Sequence, residues 1–224
     1  MATWNELFLD EKNIAVLPQS EIYKFAKKVE GIFPDEKLKF WDFCCGAGRH
    51  TILLSSLGYD TYGSDISKNG IEITNRKLQE NKLQAYLKIS DMTEKPFENI
   101  KFHGVFSWDA IHHNTIENIK KSVNIIYDCL EERGLLLVNL ISTKSGSYNK
   151  GIEVETNTFI RDDGDEAGVP HHYFDENGVR ELFKDWKFLC LSEQVNTYIE
   201  TENEFYRTNP FPYTKWNIIA QKVD

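Results

Sequence analysis

The chain has 224 residues and a formal net charge of −9, with 26 basic against 35 acidic side chains. That length suits one domain, and 41% hydrophobic with 27% charged residues is typical of a folded protein. The acidic balance argues against nucleic acids and anionic membranes as partners, because both are bound by clustered Lys and Arg. We therefore expect one domain over residues 1–224.

Targeting signals are missing from the sequence pattern. The N-terminal residues have neither the basic nor the apolar segment of a signal peptide. The longest strongly apolar stretch, 135–141, is far shorter than the ~20 residues that span a bilayer. Cys44 and Cys45 are adjacent, which is a poor geometry for a disulfide between them. These features predict a cytoplasmic protein with free thiols, either a monomer or a homodimer.

The predicted elements alternate between strands and helices along most of the chain. In chain order they are two helical patterns within 1–38, a strand at 39–44, a helix after Gly48, a strand at 59–64, a helix at 69–80, strands at 86–90 and 102–107, a helix at 115–131, a strand at 135–141, a short helix after Asp175, and strands at 186–195 and 213–223. Apolar residues three and four apart mark the helix at 115–131, which Gly134 is expected to end.

This alternation predicts a parallel sheet with helices on both faces. The last two strands have no clear helix between them, so they should pair antiparallel at one edge. Residues 1–38 would form an N-terminal helical cap. Residues 143–173 are a polar insertion after the most apolar strand, at the edge where open α/β sheets bind ligands. A loop of that length is usually functional or disordered, and we interpret it as a substrate lid.

The most specific motif runs from Phe40 to Thr51 and reads FWDFCCGAGRHT. Gly46 and Gly48 would let main-chain N–H groups approach a ligand, and the helix behind them directs its positive end to the same place. Asp65 ends the next strand, 17 residues after Gly48, where its carboxylate can accept both hydroxyls of a ribose. The spacing predicts a nucleotide-type cofactor.

Two classes of nucleotide ligand are disfavoured because the sequence lacks their motifs. A dinucleotide fingerprint has a third glycine where this chain has Thr51, and a phosphate-binding P-loop motif does not occur. About 40 residues precede the motif, whereas the fingerprint usually opens a chain. An NAD(P)-dependent oxidoreductase on a similar fold is therefore an alternative and not the first interpretation.

These segments resemble the class I S-adenosylmethionine-dependent methyltransferases, especially small-molecule enzymes with GAGRHT in the first motif. Residues 62–67 are similar to the second motif, Ser90-Asp91-Met92 to the segment that meets the adenine, and 102–109 and 130–140 to the fourth and fifth. The resemblance implies a Rossmann-like three-layer α/β/α fold with a seven-stranded, mostly parallel sheet and an antiparallel last strand. It also implies S-adenosylmethionine as cofactor and a small-molecule methyl acceptor. The cofactor-binding residues that it implies are Asp42, Cys44, Gly46, Gly48, Arg49, Asp65, Ile66, Asp91, Met92 and Ser107.

Candidate catalytic residues follow the fourth strand. His112 or His113 could take a proton from a substrate nucleophile, since imidazole titrates near neutrality; alternatively, one of them packs or caps the next helix. The candidate substrate-contacting residues are Trp4, Tyr23, Trp108, Glu155 and His171. The acidity of the insertion favours a neutral or cationic acceptor.

The two pairs of adjacent histidines, 112–113 and 171–172, do not predict a metal site. Neighbouring side chains point apart, and no Cys or carboxylate lies at ligand spacing. The sequence also lacks the [DNS]PP[FYW] and Pro-Cys motifs of nucleic-acid methyltransferases. A cofactor-binding protein without turnover and a macromolecule methyltransferase remain as alternatives, and the acceptor atom is not predicted.

Overall fold

A seven-stranded sheet is the centre of the structure, a computed structural model that describes residues 4–196 and 213–223. The elements in chain order are α1 (Trp4–Leu7), α2 (Ser20–Ile32), β1 (Lys39–Phe43), α3 (Arg49–Ser56), β2 (Asp60–Asp65), α4 (Lys68–Glu80), β3 (Tyr86–Ile89), β4 (Phe102–Ser107), α5 (Ile116–Cys129), β5 (Leu130–Ile141), β6 (Ile152–Glu155), β7 (Thr158–Ile160), β8 (Pro170–His172), α6 (Glu176–Leu182), β9 (Trp186–Asn196) and β10 (Tyr213–Lys222). A short 3-10 helix at Glu11–Asn13 follows α1.

The strand order of the large sheet is β3-β2-β1-β4-β5-β10-β9. Strands β1 to β5 pair in parallel, and β10 runs antiparallel to both of its neighbours, β5 and β9. The predicted Rossmann-like sheet, with an antiparallel final pair at one edge, is confirmed. The order reverses at β1 and β4, which is where ligands bind in open α/β sheets.

Helices cover both faces of this sheet. On one face, Phe25 of α2 and Leu54 of α3 pack in a cluster with Phe40 of β1. On the other, Val123 of α5 and Val179 of α6 belong to the larger core. These side chains are almost completely buried, and each contributes about 1.5–3 kcal/mol by leaving water. Within the described part of the chain, the helices are too short or too polar to cross a membrane.

Helix boundaries agree with the sequence patterns except after α5. The short helix predicted after Asp175 is α6, and Asp175 caps it by accepting a hydrogen bond from the N–H of Gly178 at 2.7 Å. Gly134 was expected to end α5, but the helix ends at Cys129 and Gly134 lies in a break in the pairing of β5 with β4. A Cβ on Gly134 would lie 2.8 Å from the carbonyl oxygen of Glu131. The glycine is therefore required by the close approach of the backbone at this irregularity and not by the helix end.

The insertion at 143–173 contains regular structure that the sequence did not predict. Strands β6, β7 and β8 form a small antiparallel sheet. The two ends of the insertion lie beside the end of β5. Phe174 N–H donates to the carbonyl oxygen of Ile141, and Thr143 N–H donates to the carbonyl oxygen of Phe174. In addition, His172 N–H donates to the carbonyl oxygen of His112 at 2.9 Å. The insertion is thus attached to the loop that follows β4.

Candidate cofactor and acceptor site

A cavity of about 290 Å³ lies at the carboxyl ends of β1, β2, β3 and β4. The loops that follow these four strands form most of its wall, as expected for the ligand site of an open α/β sheet. The N-terminal segment closes another side with Trp4, Phe8, Asn13 and Ala15. The helical cap predicted for 1–38 therefore divides into α1, which reaches the cavity, and α2, which packs on the sheet.

The turn after β1 has a backbone that only small residues accommodate well. Gly46 and Gly48 have φ values of +53° and +75°. A Cβ on Gly46 would meet the Phe8 ring at 2.9 Å, and one on Gly48 would meet Thr74 at 2.3 Å. The turn thus brings main-chain N–H groups and the N-terminal end of α3 to the cavity wall, where they favour negative groups of a ligand.

Asp65 joins this turn to the start of α4. Its Oδ2 accepts a hydrogen bond from Gly46 N–H and its Oδ1 accepts one from Ser67 N–H, both at 2.8 Å. Burial raises the pKa of Asp65, although the two N–H donors oppose that shift. Each carboxylate oxygen has a further lone pair. A fixed Asp65 can therefore accept hydrogen bonds from a pair of ligand hydroxyls.

Asp42 lies behind the turn on β1 and is 2% exposed. Thr51 Oγ1 donates to its Oδ2 at 2.6 Å. Burial raises the pKa of Asp42 to about 7, although this hydrogen bond opposes the shift. Thr51 thus fixes the carboxyl group of Asp42 at the cavity wall. It is the residue that replaces the third glycine of a dinucleotide fingerprint.

The third loop supplies a mixed polar and apolar surface. Asp91 Oδ1 accepts hydrogen bonds from the N–H and the hydroxyl of Thr93 at 2.8 and 2.7 Å. Met92 and Ile66 line the same cavity, and Ile66 is 51% exposed. The apolar side chains of Ile66 and Met92 suit the flat faces of an adenine, and the Asp91 carboxylate suits its amino group.

The charge of the wall is predominantly negative. Apart from two histidines and two cysteines, its ionisable lining residues are Asp42, Asp65, Asp91, Asp109 and Arg49, and Asp42, with a pKa of about 7, is only partly ionised at neutral pH. Burial lowers the pKa of His50 to about 3 and that of His113 to about 4, so both are neutral near pH 7. Such a wall attracts a cation and repels a pyrophosphate.

Asp109 is a lining residue that the sequence did not single out. It adopts φ +55°, and its N–H donates to Asn139 Oδ1 at 2.6 Å. Asn139 Nδ2 donates back to Asp109 Oδ1 at 2.6 Å, and Lys215 forms an ion pair with the same oxygen. These partners come from β5 and β10. Asn139 and Lys215 are 30 and 106 residues away from Asp109 in sequence. Local sequence patterns therefore could not indicate these contacts.

The two adjacent histidines after β4 have different positions. His113 lines the cavity, and its ring lies 5.0 Å from that of Trp4. His112 is completely buried, and its two ring nitrogens have no hydrogen-bond partner among the described residues. It is not among the lining residues. By geometry, His113 is therefore the better candidate to touch a substrate.

The other candidate residues divide in the same way. Trp4 and Trp108 line the cavity, and so do nine of the ten implied cofactor-binding residues, all except Ser107. Tyr23 is 45% exposed on α2, and Ser107 is fully buried beneath the wall. Glu155 accepts a hydrogen bond from Ile116 N–H at 2.6 Å, at the start of α5. These last three side chains do not line the cavity.

His171 lies in the insertion, next to Glu166. Their side chains are in contact, with His171 Nε2 and Glu166 Oε2 2.8 Å apart. The His171 ring also lies 4.6 Å from the ring of His113. The fold thus brings one histidine from each adjacent pair together, across 58 residues of sequence. Asn13, Ala15 and His50 are further lining residues that sequence patterns did not indicate.

Comparison with known proteins agrees with this arrangement. Residues 40–134 match the sequence model of a family described as a methyltransferase domain. A probable S-adenosyl-L-methionine-dependent methyltransferase, TehB from Haemophilus influenzae, is 26% identical over 165 residues. The match covers 73% of this chain and 51% of that protein, so this chain spans about half the length of that relative.

Solved structures have the same fold. An S-adenosylmethionine-dependent methyltransferase from Clostridium acetobutylicum matches with a TM-score of 0.68 and 15% identity, covering 93% of each chain. The 1,6-didemethyltoxoflavin N1-methyltransferase of Burkholderia thailandensis, solved with S-adenosylhomocysteine bound, matches with a TM-score of 0.64 and 13% identity, over 91% of this chain and 78% of that one. Residues 40–134 therefore match a methyltransferase domain in sequence, and the chain has the fold of solved methyltransferases.

Proposed function

We propose that the protein transfers the methyl group of S-adenosylmethionine to a small-molecule acceptor. The observation that carries this proposal is the pairing of a glycine turn with a wall of four aspartates and one arginine. S-adenosylmethionine is a cation with a ribose and an adenine, whereas nicotinamide dinucleotides carry a pyrophosphate. The charge of the wall therefore favours the methyl donor over the oxidoreductase cofactor.

Each part of the cofactor has a matching group on the wall. Asp42, with the turn from Cys44 to Arg49, would hold the amino-acid end, and Asp65 would accept hydrogen bonds from the ribose hydroxyls. Ile66 and Met92 would flank the adenine beside Asp91. Ser107 would act from beneath the wall, since it is buried without contact to the cavity. When bound, the cofactor supplies a methyl group that is already activated, so the protein mainly has to position the acceptor.

The acceptor would lie between the cofactor and the residues that follow β4. His113, Trp4 and Trp108 line this part of the wall, and the contact between the tilted rings of Trp4 and His113 joins the N-terminal segment to it. A cavity closed by α1 suits a small acceptor better than a macromolecule. His113 is the candidate proton acceptor of the adjacent pair, and His112 would support it from behind.

We also propose that the cap, the central sheet and the insertion act as one domain. The Asn5 side chain accepts a hydrogen bond from Asn69 N–H at 2.9 Å, which ties α1 to α4. The main-chain bond between His172 and His112 ties the insertion to the loop after β4. Trp4 precedes Asn5 and His113 follows His112, and both line the cavity, which supports a role for the insertion as a lid beside the acceptor.

The proposal is tested by turnover. Purified protein is incubated with S-adenosylmethionine and a panel of thiols, amines, phenols and carboxylates, and formation of S-adenosylhomocysteine is measured. We expect turnover with at least one acceptor class. Tight binding of S-adenosylhomocysteine without turnover on any panel member would contradict the enzymatic role and favour a binding protein.

Asp65→Asn tests the assignment of the ribose site. It removes the charge but keeps the size, so we expect the Kd for S-adenosylhomocysteine to rise at least about tenfold, since hydrogen bonds to charged groups contribute about 1.5–3 kcal/mol. Asp60→Asn is the matched control, because Asp60 starts the same strand and pairs with Lys37 far from the cavity. Equal effects of both substitutions would contradict the assignment.

A further inference from the structure

Three side chains from distant parts of the sequence meet beside the cavity. They are His113, from the loop after β4, and Glu166 and His171, from the insertion. Glu166 Oε2 lies 2.8 Å from His171 Nε2, and Glu166 Oε1 lies 3.6 Å from His113 Nε2. Potential ligand atoms of all three residues lie within 4.8 Å of one another. The cluster is distinct from the aspartates assigned to the cofactor.

The hydrogen bonds of His171 define which ring nitrogen faces the carboxylate. Its Nδ1 lies 2.9 Å from the carbonyl oxygen of Val169, and a carbonyl can only accept, so Nδ1 carries the hydrogen. In the neutral ring Nε2 then presents a lone pair to Glu166. A lone pair and a carboxylate oxygen at 2.8 Å repel each other unless a cation or an added proton lies with them.

His113 directs the same ring nitrogen to this carboxylate. Its Nε2 lies 3.6 Å from Glu166 Oε1, and its main-chain N–H donates to the carbonyl oxygen of Ala110 at 3.0 Å. Metal-bound histidines almost always donate their other ring N–H to a carbonyl or carboxylate, which fixes the tautomer and the orientation of the ring. In this cluster His171 has such a carbonyl partner, and both histidines direct Nε2 to the same carboxylate.

We propose that His113, Glu166 and His171 bind a divalent transition-metal ion of the zinc type. Two imidazoles and one carboxylate are a ligand set of catalytic zinc sites, which leave one coordination position open. Ligand atoms at about 2.0–2.1 Å from one tetrahedral ion stand about 3.3 Å apart. The ligand atoms of the three residues lie within 4.8 Å of one another, so the side chains would have to close by up to about 1.5 Å around the ion.

The position of His113 gives the ion a place at the cavity wall. The open coordination position would take an atom with a lone pair, either water or the nucleophile of an acceptor. With the ion bound, His113 acts as a ligand and not as a proton acceptor. This role rests on the proposed methyl transfer, but binding of the ion does not, because the three ligands are separate from the aspartates of the cofactor site.

Metal binding is tested on tag-free full-length protein, stripped with chelator and dialysed against Zn²⁺, with the bound metal measured by mass spectrometry. Glu166→Gln and His171→Ala remove one ligand each. Glu36→Gln is the matched control, because Glu36 forms a comparable pair with His103, 3.0 Å apart, without a second histidine in that ion pair. Circular dichroism and S-adenosylhomocysteine binding on the same samples report folding and the cofactor site.

We expect wild type and Glu36→Gln to retain one Zn²⁺ each, and the two ligand variants to bind it at least about tenfold more weakly. Loss of zinc in folded ligand variants that still bind S-adenosylhomocysteine supports the site. Retention of no zinc by wild type would overturn it and identify the cluster as a salt-bridged imidazolium. Equal zinc binding by Glu166→Gln and wild type would also overturn it. Neither result would affect the proposed methyl transfer.

Discussion

At the scale of single residues, Asp42 links the cavity to the stability of the fold. Its carboxyl group is buried on β1 and its pKa is raised to about 7 by that burial. In the unfolded chain the reference value is 3.8. Folding therefore favours the protonated form, and ionisation of Asp42 in the folded state costs free energy that the unfolded state does not require.

This shift predicts how stability depends on pH. Because its pKa is raised on folding, Asp42 contributes to the free energy of unfolding. This contribution is fully present at pH values below the pKa of the unfolded state and is lost as pH rises through about 7. Between about pH 5 and pH 8, we expect the free energy of unfolding of wild type to fall by about 3 kcal/mol relative to that of Asp42→Asn. Urea unfolding of both proteins at a series of pH values measures this difference.

The comparison with Asp42→Asn cancels the other titrating groups, including Asp65, whose pKa is also raised. Asp60→Asn serves as the control, because Asp60 is salt-bridged to Lys37 and lies away from the cavity. A wild-type curve that stays parallel to that of Asp42→Asn across this pH range would show that Asp42 ionises normally.

Single residues also show how far the sequence can be interpreted. The glycine turn and Asp65 were predicted together because their chemistry is contained in a local motif with fixed spacing. The difference between His112 and His113 was not predictable, since the loop that carries them has no regular period. Only the fold decides that one ring lines the cavity and that the next is buried behind it.

At the scale of elements, the contact between α3 and α4 depends on Gly48. Gly48→Ala would place a Cβ 2.3 Å from Thr74 on α4, in addition to the strain of φ +75°. Gly58→Ala has a similar φ of +85°, but nothing lies within 4 Å of its Cβ. The strain costs about 1–2 kcal/mol in either variant, and the clash adds about 1–3 kcal/mol in Gly48→Ala alone.

Thermal and urea unfolding of the two glycine variants separate these effects. We also expect Gly48→Ala to weaken S-adenosylhomocysteine binding, because α3 and its N-terminal N–H groups would move. Gly58→Ala should bind normally. Equal losses of stability in the two variants would mean that α3 and α4 adapt to the extra methyl group at little cost.

The N-terminal helix gives a second prediction at this scale. Asn5→Ala removes the acceptor that holds α1 to Asn69 on α4. We expect about fivefold weaker S-adenosylhomocysteine binding, equivalent to about 1 kcal/mol for one hydrogen bond. Tyr23→Ala is the control, since Tyr23 lies exposed on α2 outside the cavity wall. Calorimetric Kd values for both variants test whether α1, and not α2, covers the cofactor.

The insertion shows why some elements could not be predicted. Strands β6 to β8 have three or four residues each, which is too short for alternation to be distinguished from chance. Glu155 was expected to contact substrate because it is a charged residue in a possible lid. Instead it accepts a hydrogen bond from Ile116 at the start of α5, a contact across 39 residues that local sequence does not encode.

At the scale of the whole molecule, the sheet topology was the most predictable feature. Alternating apolar strands and amphipathic helices define the parallel order, and right-handed crossovers leave few other arrangements. The meeting of His113 with Glu166 and His171 was not predictable, because it depends on where the insertion folds back. The sequence argument against a metal site applies to two neighbouring histidines of one pair. The cluster instead contains one histidine from each pair.

The charge of the molecule gives a further prediction. Four aspartates of a chain with net charge −9 surround the cavity. S-adenosylmethionine carries one more positive charge than S-adenosylhomocysteine, so its binding should weaken more as salt rises. We expect a roughly twofold greater loss of affinity between low and high salt, measured by calorimetry. Equal salt dependence of the two ligands would contradict an electrostatic contribution from the aspartates.

The identity of the cofactor is tested most directly by calorimetric titration of the chain with S-adenosylhomocysteine and, separately, with NADH. The glycine turn, Asp65 and the acidic wall predict one S-adenosylhomocysteine bound per chain, with no measurable heat from NADH. Saturable binding of NADH, together with no binding of S-adenosylhomocysteine, would contradict the proposed methyltransferase.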